Sequence, residues 1–238
     1  IVEDAKIIAG GKIEAHGFSG SGKTWIFSKD DIIFDFAQNC HLESLGNIVF
    51  KKFIVNCEVY TTHKLIGKDK SKLIGGEIQA AQGAELFRIG NINEAKSVIT
   101  LGINFYNEKI ISKVLDRKKV LDEQKIKLLD QVKQYIDITK PIKPQLTCIP
   151  QDKVKEVIIK ISEFKKKHLL SKKLQETFKK LTKNLKSEFN ARLSVKESIF
   201  SGSELHIAGC IKKINENFSH TEFYFSPTDA LIKHHSHF

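Results

Sequence analysis

Residues 17–24 run Gly-Phe-Ser-Gly-Ser-Gly-Lys-Thr, a full match to the phosphate-loop pattern G-x-x-x-x-G-K-[ST]. In that chemistry backbone N–H groups cradle phosphate oxygens, Lys23 would engage a phosphate and Thr24 a magnesium ion. It works only where a buried strand runs into a helix N-terminus. Beyond Thr24 the chain continues Trp25-Ile26-Phe27-Ser28-Lys29-Asp30-Asp31, an alternating stretch and a turn. Ile32-Ile33-Phe34-Asp35 imitates the acidic strand that would hold magnesium, but only seven residues separate Thr24 from Ile32. A parallel crossover takes at least about ten to twelve. We read the match as an accident of Gly-rich corners and keep a nucleotide site at Gly17, Gly22, Lys23 and Thr24 as the alternative.

The other chemistry-bearing residues do not assemble. His16, His41 and His63 lie in or near turns with no fixed carboxylate partner, and no serine sits in a G-x-S-x-G elbow. Cys40, Cys57, Cys148 and Cys210 include no C-x-x-C pair and have no clustered His to complete a zinc site. They are expected as reduced, buried thiols of a cytosolic protein. No catalytic residue, cofactor or metal is expected.

The elements that would carry these residues fall into two compositional regions. The chain has 238 residues and a net charge of +11, yet residues 105–196 hold 24 of the 39 Lys+Arg and 11 of the 28 Asp+Glu. The remainder is close to neutral. Twelve of the fourteen Gly lie between Gly10 and Gly102, so a Gly-rich region precedes a basic, Gly-free one. At 41% hydrophobic the chain is too apolar for disorder, and no run approaches the roughly 18 apolar residues of a membrane span. There is no Met, and the chain opens on Ile1. We therefore expect a fragment whose upstream part is not included.

The Gly-rich region repeats. Asp30-Asp31-Ile32 leads to Phe36 and Asn39-Cys40, and Gly46-Asn47-Ile48 leads to Phe53 and Asn56-Cys57, a step of 17 residues from Phe36 to Phe53. Gly10-Gly11-Lys12-Ile13 and Gly75-Gly76-Glu77-Ile78 open similar units. A unit this short cannot hold a βαβ motif but suits one coil of a β-solenoid, with Ile, Val, Phe and Cys inward and Gly or Asn at the corners. An antiparallel meander is the alternative. The end of a solenoid needs a cover, here expected near Gly102 from the next segment or from returning strands.

From Phe105 to Ile136, Val114, Leu121, Leu128 and Tyr135 recur at seven, flanked by Ile110, Leu129 and Val132. Pro141, Pro144 and Pro150 break the chain. A second helical run, 151–193, carries Val154, Val157, Ile161, Phe164, Leu174, Phe178, Leu181, Leu185 and Phe189. The two should pack as an antiparallel, coiled-coil-like pair. Lys165, Lys166, Lys167, Lys172, Lys173, Lys179, Lys180, Lys183 and Lys186 face a single acid, Glu176. The run is either a solvated helix face or a dock for an acidic protein, nucleic acid or anionic lipid. Without Arg, sequence-specific nucleic-acid reading is disfavoured. Ser198–Gly202, Glu204–Gly209 and 221–225 return to strand character, and His234, His235 and His237 read as a frayed tail.

The expected architecture is mainly β with an α-helical insertion: β-solenoid over 1–104, basic helical hairpin over 105–196, returning strands over 197–230 and a tail over 231–238. In this order the pieces resemble the β-solenoid and coiled-coil region of flagellar assembly protein A. The resemblance rests on Ile8-Ala9-Gly10-Gly11-Lys12-Ile13, Asp30-Asp31-Ile32, Asn39-Cys40, Gly46-Asn47-Ile48, Lys72–Ala80, Arg88-Ile89-Gly90 and Thr100-Leu101-Gly102 before the helices. After them it rests on Ser198–Gly202 and Thr221-Glu222-Phe223-Tyr224. It implies a right-handed parallel β-helix with an inserted helical pair, in a cytoplasmic bacterial scaffold or regulator of flagellar assembly that acts by protein–protein interaction and is not an enzyme. Ser201 stands where the family usually has Pro. An acidic protein partner is expected, with self-association through the coiled coil or solenoid ends and non-specific nucleic-acid binding as alternatives.

Overall fold

A computed structural model describes residues 1–93, 95–137, 142–184 and 190–236. Two units divide the chain, Ile1–Tyr106 with Leu185–Phe238, and Asn107–Asn184.

In the first unit, strands β1 (Val2–Glu3), β2 (Lys6–Ala9), β3 (Ile13–Ser28), β4 (Ile32–Ser44), β5 (Ile48–Thr61), β6 (Leu65–Gly67), β7 (Lys72–Ala80), β8 (Ala84–Ile89) and β9 (Ser97–Leu101) wind as successive coils. Every pairing among them is parallel, which removes the meander alternative. The register explains the repeat. Ile26, Leu42, Val59, Ile78 and Ile99 stack one on the next, as do Ile13, Ile32, Ile48 and Leu65, and Phe18, Ala37, Ile54, Leu73 and Ile89. Almost all of these side chains are buried, and each ladder removes apolar surface from water along the whole solenoid.

Two devices turn the corners. Asn39 and Asn56 take φ near +50°, and Gly75 and Gly76 adopt +65° and +88°, so the Asn-Cys repeat records a left-handed corner. At Gly76 a Cβ would lie 2.2 Å from the Cys57 carbonyl oxygen. The second device is a ladder of buried hydroxyls. Ser28 Oγ donates to Gly11 O (2.7 Å), Ser44 Oγ to Asp30 O (2.7 Å) and Thr61 Oγ1 to Gly46 O (2.5 Å). Each hydroxyl also accepts from the N–H two residues on, at Asp30, Gly46 and His63. One side chain thereby satisfies a carbonyl and an N–H that the turn withdraws from the ladder.

The chain leaves the solenoid after Leu101 and resumes it at β10 (Arg192–Ile199) and β11 (Glu204–Ile207), which lie parallel on β8 and β9. Leu193 stacks on Ala84, Ile199 on Ile89 and Leu205 on Ile99. Then β12 (Cys210–Lys213) turns back antiparallel on β11, β13 (Phe218–Ser226) antiparallel on β10, and β14 (Leu231–Ser236) on β13. The returning strands cover the end near Gly102. Two expectations change. Residues 192–196 are strand rather than the end of a helix, because Leu193 and Val195 complete the apolar ladder. Residues 231–236 are also strand: Ile232 is buried, and the His234 ring lies 4.7 Å edge-on from Phe218. His237 lies outside the described residues.

The helix α1 (Phe105–Lys133), which belongs to the second unit from Asn107 onward, is capped by Asn104, whose Oδ1 accepts from Tyr106 N. After it come the short α2 (Ile142–Gln145) and the long α3 (Gln151–Asn184). Pro150 O accepts from Lys153 N and Val154 N, so this proline ends the break and starts α3 at Gln151, where the second helical run was expected to begin. As numbering rises on the α1 side from Asp122 through Gln124 to Ile136, partners on α3 fall from Ser171 through Lys167 to Val157. The helices are antiparallel. Pro141, Leu185 and Phe189 lie outside the described residues.

Candidate partner-binding surface

The buried stripe of the helical unit is formed by Val114, Leu121 and Val132 of α1 together with Ile136, Ile149 and Val157. Tyr135, Ile142, Leu146, Val154 and Ile161 pack against its lower part. Beside this stripe, Asp122 accepts from Ser171 Oγ (2.9 Å) and Lys125 Nζ (2.8 Å), with Lys118 at 3.2 Å. The Lys125 hydrogen bond, then those of Ser171 and Lys118, hold its carboxyl down to about 2. It fixes the register of the pair through a side chain that stays negative.

The stripe occupies one side of α3 and leaves the opposite side to solvent. Lys166, Lys172, Lys173, Lys179 and Lys180 are exposed there, and Lys165 is exposed beside the apolar cavity lined by Leu128, Val132, Ile161 and Phe164. Within the described residues none of these six forms an ion pair. Lys167 differs: it is half-buried and donates to Gln124 Oε1 at 2.6 Å. Of the nine lysines singled out from sequence, it belongs to the helix–helix seam. Lys186 and the Lys183 side chain lie outside the described residues. Glu156, near the start of this helix, is already engaged with Lys153 and Lys160. The result is a line of ammonium groups in excess over the exposed Glu163 and Glu176 of the same helix, which raises the potential along one helix side and favours an anionic partner.

Interleaved with these lysines are Ile158, Ile159, Leu169 and Leu170, 47%, 58%, 57% and 37% exposed. Sequence reading by three-four spacing passes over them, since only the buried stripe obeys that rule.

The phosphate-loop match has a different fate. Gly17, Gly22, Lys23 and Thr24 all lie within the single strand β3, and the chain proceeds to β4 rather than to a helix. Three extra residues are inserted against β4 between Ser19 and Thr24, and this excursion is the source of the motif. Thr24 is fully buried and donates to Ser19 O at 2.8 Å. The Asp4 carboxylate accepts from Ser21 N (3.0 Å) and Ser21 Oγ (3.2 Å), an anion from the chain itself at a backbone N–H of the loop. Gly17 is required by packing: a Cβ there would fall 2.4 Å from the Phe36 ring.

The histidines also differ from expectation. His16 pairs with Asp35 at 2.9 Å, and His41 bridges Glu43 (Nε2, 2.5 Å) and Glu58 (Nδ1, 2.8 Å). His16 and Asp35 (i+19) and His41 and Glu58 (i+17) meet because neighbouring coils place them side by side, while Glu43 stands two residues along the same strand as His41. The His41 ring lies between Trp25 (6.3 Å) and Tyr60 (5.3 Å), with Lys6 Nζ 4.7 Å above Trp25. Burial works against a charge on His41, but the hydrogen bonds to Glu43 and Glu58 outweigh it and raise its pKa above 6.5. Burial, then the Glu77 and Glu58 charges, pushes Tyr60 up to about 12. Both faces of the indole are occupied from within, so the cluster works as an outer staple across coils.

Cys40 and Cys57 are buried on adjacent coils, with Cys40 N donating to Cys57 Sγ at 3.4 Å. Cys148 is exposed and Cys210 half-buried, so only two of the four fit the expectation of buried thiols. Among the described residues no helix is long and apolar enough to cross a membrane.

A family model described as the flagellar assembly protein A beta solenoid domain matches residues 1–230. No curated protein and no solved structure matches the chain.

Proposed function

The chain belongs to the flagellar assembly protein A β-solenoid family, and from that premise we propose that it is a non-enzymatic cytoplasmic scaffold of flagellar assembly whose helical unit docks an acidic protein. The observation that carries this reading is the line of exposed, unpaired Lys165, Lys166, Lys172, Lys173, Lys179 and Lys180 on α3. Exposed charges of one sign speed and orient encounter with a complementary surface. The strands supply a stiff frame held by internal ladders, with the Ser28, Ser44 and Thr61 corner hydroxyls paired within it.

Reversal of Lys172, Lys173, Lys179 and Lys180 to Glu tests the reading. Association with acidic flagellar assembly proteins, measured by co-purification at low salt, should weaken strongly while far-ultraviolet circular dichroism is unchanged. Retention unaffected by the reversal would leave these lysines a solvated face only. A parallel titration with duplex DNA separates the nucleic-acid alternative, for which affinity would fall steeply and linearly in log salt.

A further inference from the structure

The lysines of α3 are only half of its outer side. Ile158-Ile159 and Leu169-Leu170 form two apolar steps eleven residues apart, about three helical turns and so on one side of the helix, roughly 16 Å from step to step. Lys155 and Lys166 repeat at the same interval, and Lys173 and Lys180 continue the line. These four side chains are large, apolar and exposed, and they recur in two pairs in register along a charged helix.

Resting on the charge-docking reading of α3, we propose that this helix binds an amphipathic helix of an acidic partner, which seats two apolar anchors about 16 Å apart on Ile158-Ile159 and Leu169-Leu170 while its carboxylates meet Lys155, Lys166 and Lys173. Three observations choose this occupant. α3 carries eleven Lys against four acids, so a second copy of the same helix would bring like charges together. The apolar steps are separated by Ser162, Lys165 and Lys166, which interrupts the continuous apolar stripe an interfacial membrane helix buries. The two aromatic side chains of α3, Phe164 and Phe178, are half-buried rather than on this exposed side. Two discrete anchors flanked by charge suit helix-on-helix pairing, with apolar contacts setting register and charges setting encounter.

The test uses the full chain and two synthetic helical peptides of identical Glu-rich composition. One carries two Leu-Leu steps eleven residues apart, and the other has the same Leu residues scrambled. The ordered peptide should bind at least about tenfold more tightly at roughly 0.5 M salt, where charge is screened. Leu169→Gln with Leu170→Gln should weaken the ordered peptide about 10- to 100-fold and leave the scrambled one unchanged. Lys166→Glu with Lys173→Glu should weaken both peptides, and only at low salt. Equal affinity for the two peptides overturns the anchor proposal while leaving charge docking intact, and failure of both to bind overturns the two readings together. Phosphatidylglycerol vesicles supply the third arm. Binding to them that is tighter than to the ordered peptide and lost with Leu169→Gln and Leu170→Gln would reassign the surface to membrane and refute the proposal. Circular dichroism should show unchanged helicity, since all the substituted residues are exposed.

Discussion

The hydroxyl ladder at the solenoid corners makes Ser44 a stringent place to test how these coils are held. Ser44→Ala removes the donor to Asp30 O at 2.7 Å and the acceptor for Gly46 N at 2.9 Å, at a side chain with no exposed surface. A buried polar group left without its partner costs about 1–3 kcal/mol. Two such groups, partly relieved by local adjustment, give an expected loss of about 2–4 kcal/mol. The assay is urea unfolding of the full chain monitored by tryptophan fluorescence. Trp25 is the only tryptophan and lies beside His41 of the strand that carries Ser44, so it reads the affected coil. The exposed Ser219→Ala should change stability by less than about 0.5 kcal/mol. Ser44→Thr, which keeps the hydroxyl as Thr61 does on the next coil, should recover at least half of the loss. A Ser44→Ala cost below about 0.5 kcal/mol would refute the claim that the ladder carries the corners.

Three other outcomes are expected. Because the folded pKa of His41 is raised above 6.5, its stabilising contribution is fully present below 6.5 and lost as pH rises through the folded value. The urea midpoint read at Trp25 should therefore fall as pH rises from about 6.5 through the folded value, and the fall should be smaller in His41→Gln. An equal fall in both proteins would assign the pH dependence to other groups. Gly17→Ala forces a methyl group into the Phe36 ring and should cost about 1–3 kcal/mol, with partial recovery on adding Phe36→Leu; no loss of stability would show that the ring moves aside freely. Calorimetric titration with Mg-ATP or Mg-GTP should give no saturable heat, and saturable binding abolished by Lys23→Ala would overturn the assignment of residues 17–24 to a structural strand excursion.

Much of the solenoid was legible because its coils repeat what each position must do. Asn39-Cys40 and Asn56-Cys57 recur since a corner at positive φ precedes an inward thiol on each coil. The Ser28, Ser44 and Thr61 ladder was there to be read as well, at fixed offset from each corner, but a hydroxyl reads as a surface residue until its carbonyl partner is known. The excursion at Gly20–Lys23 adds three residues to one coil, loosens the period and imitates a phosphate loop at the same stroke. His234 and His235 looked like a tail because a strand of mostly exposed polar residues, with one buried Ile232, has almost no pattern of its own. Its pairing with β13 is tertiary. For the candidate surface, counting lysines located the charge, whereas the lack of ion pairs at Lys166, Lys172, Lys173, Lys179 and Lys180 among the described residues and the exposure of Ile158, Ile159, Leu169 and Leu170 depend on which side of α3 the first helix covers.

The resumption of the solenoid at β10 has a kinetic consequence. Between earlier coils, contacting residues are close in sequence, as with Thr62 and Leu45, 17 apart. At the last joint, Arg88 pairs with Glu197, 109 residues away. Closing a loop that much longer costs about 1.6 kcal/mol more in chain entropy, and long-range contacts slow folding. The coils up to Leu101 can therefore propagate as a local zipper, while the final coil and its antiparallel cover join late. During synthesis the growing solenoid carries an uncovered parallel edge at β8 and β9 until Arg192 has emerged, which makes that interval the time when the protein is most exposed to mispairing with another copy of itself.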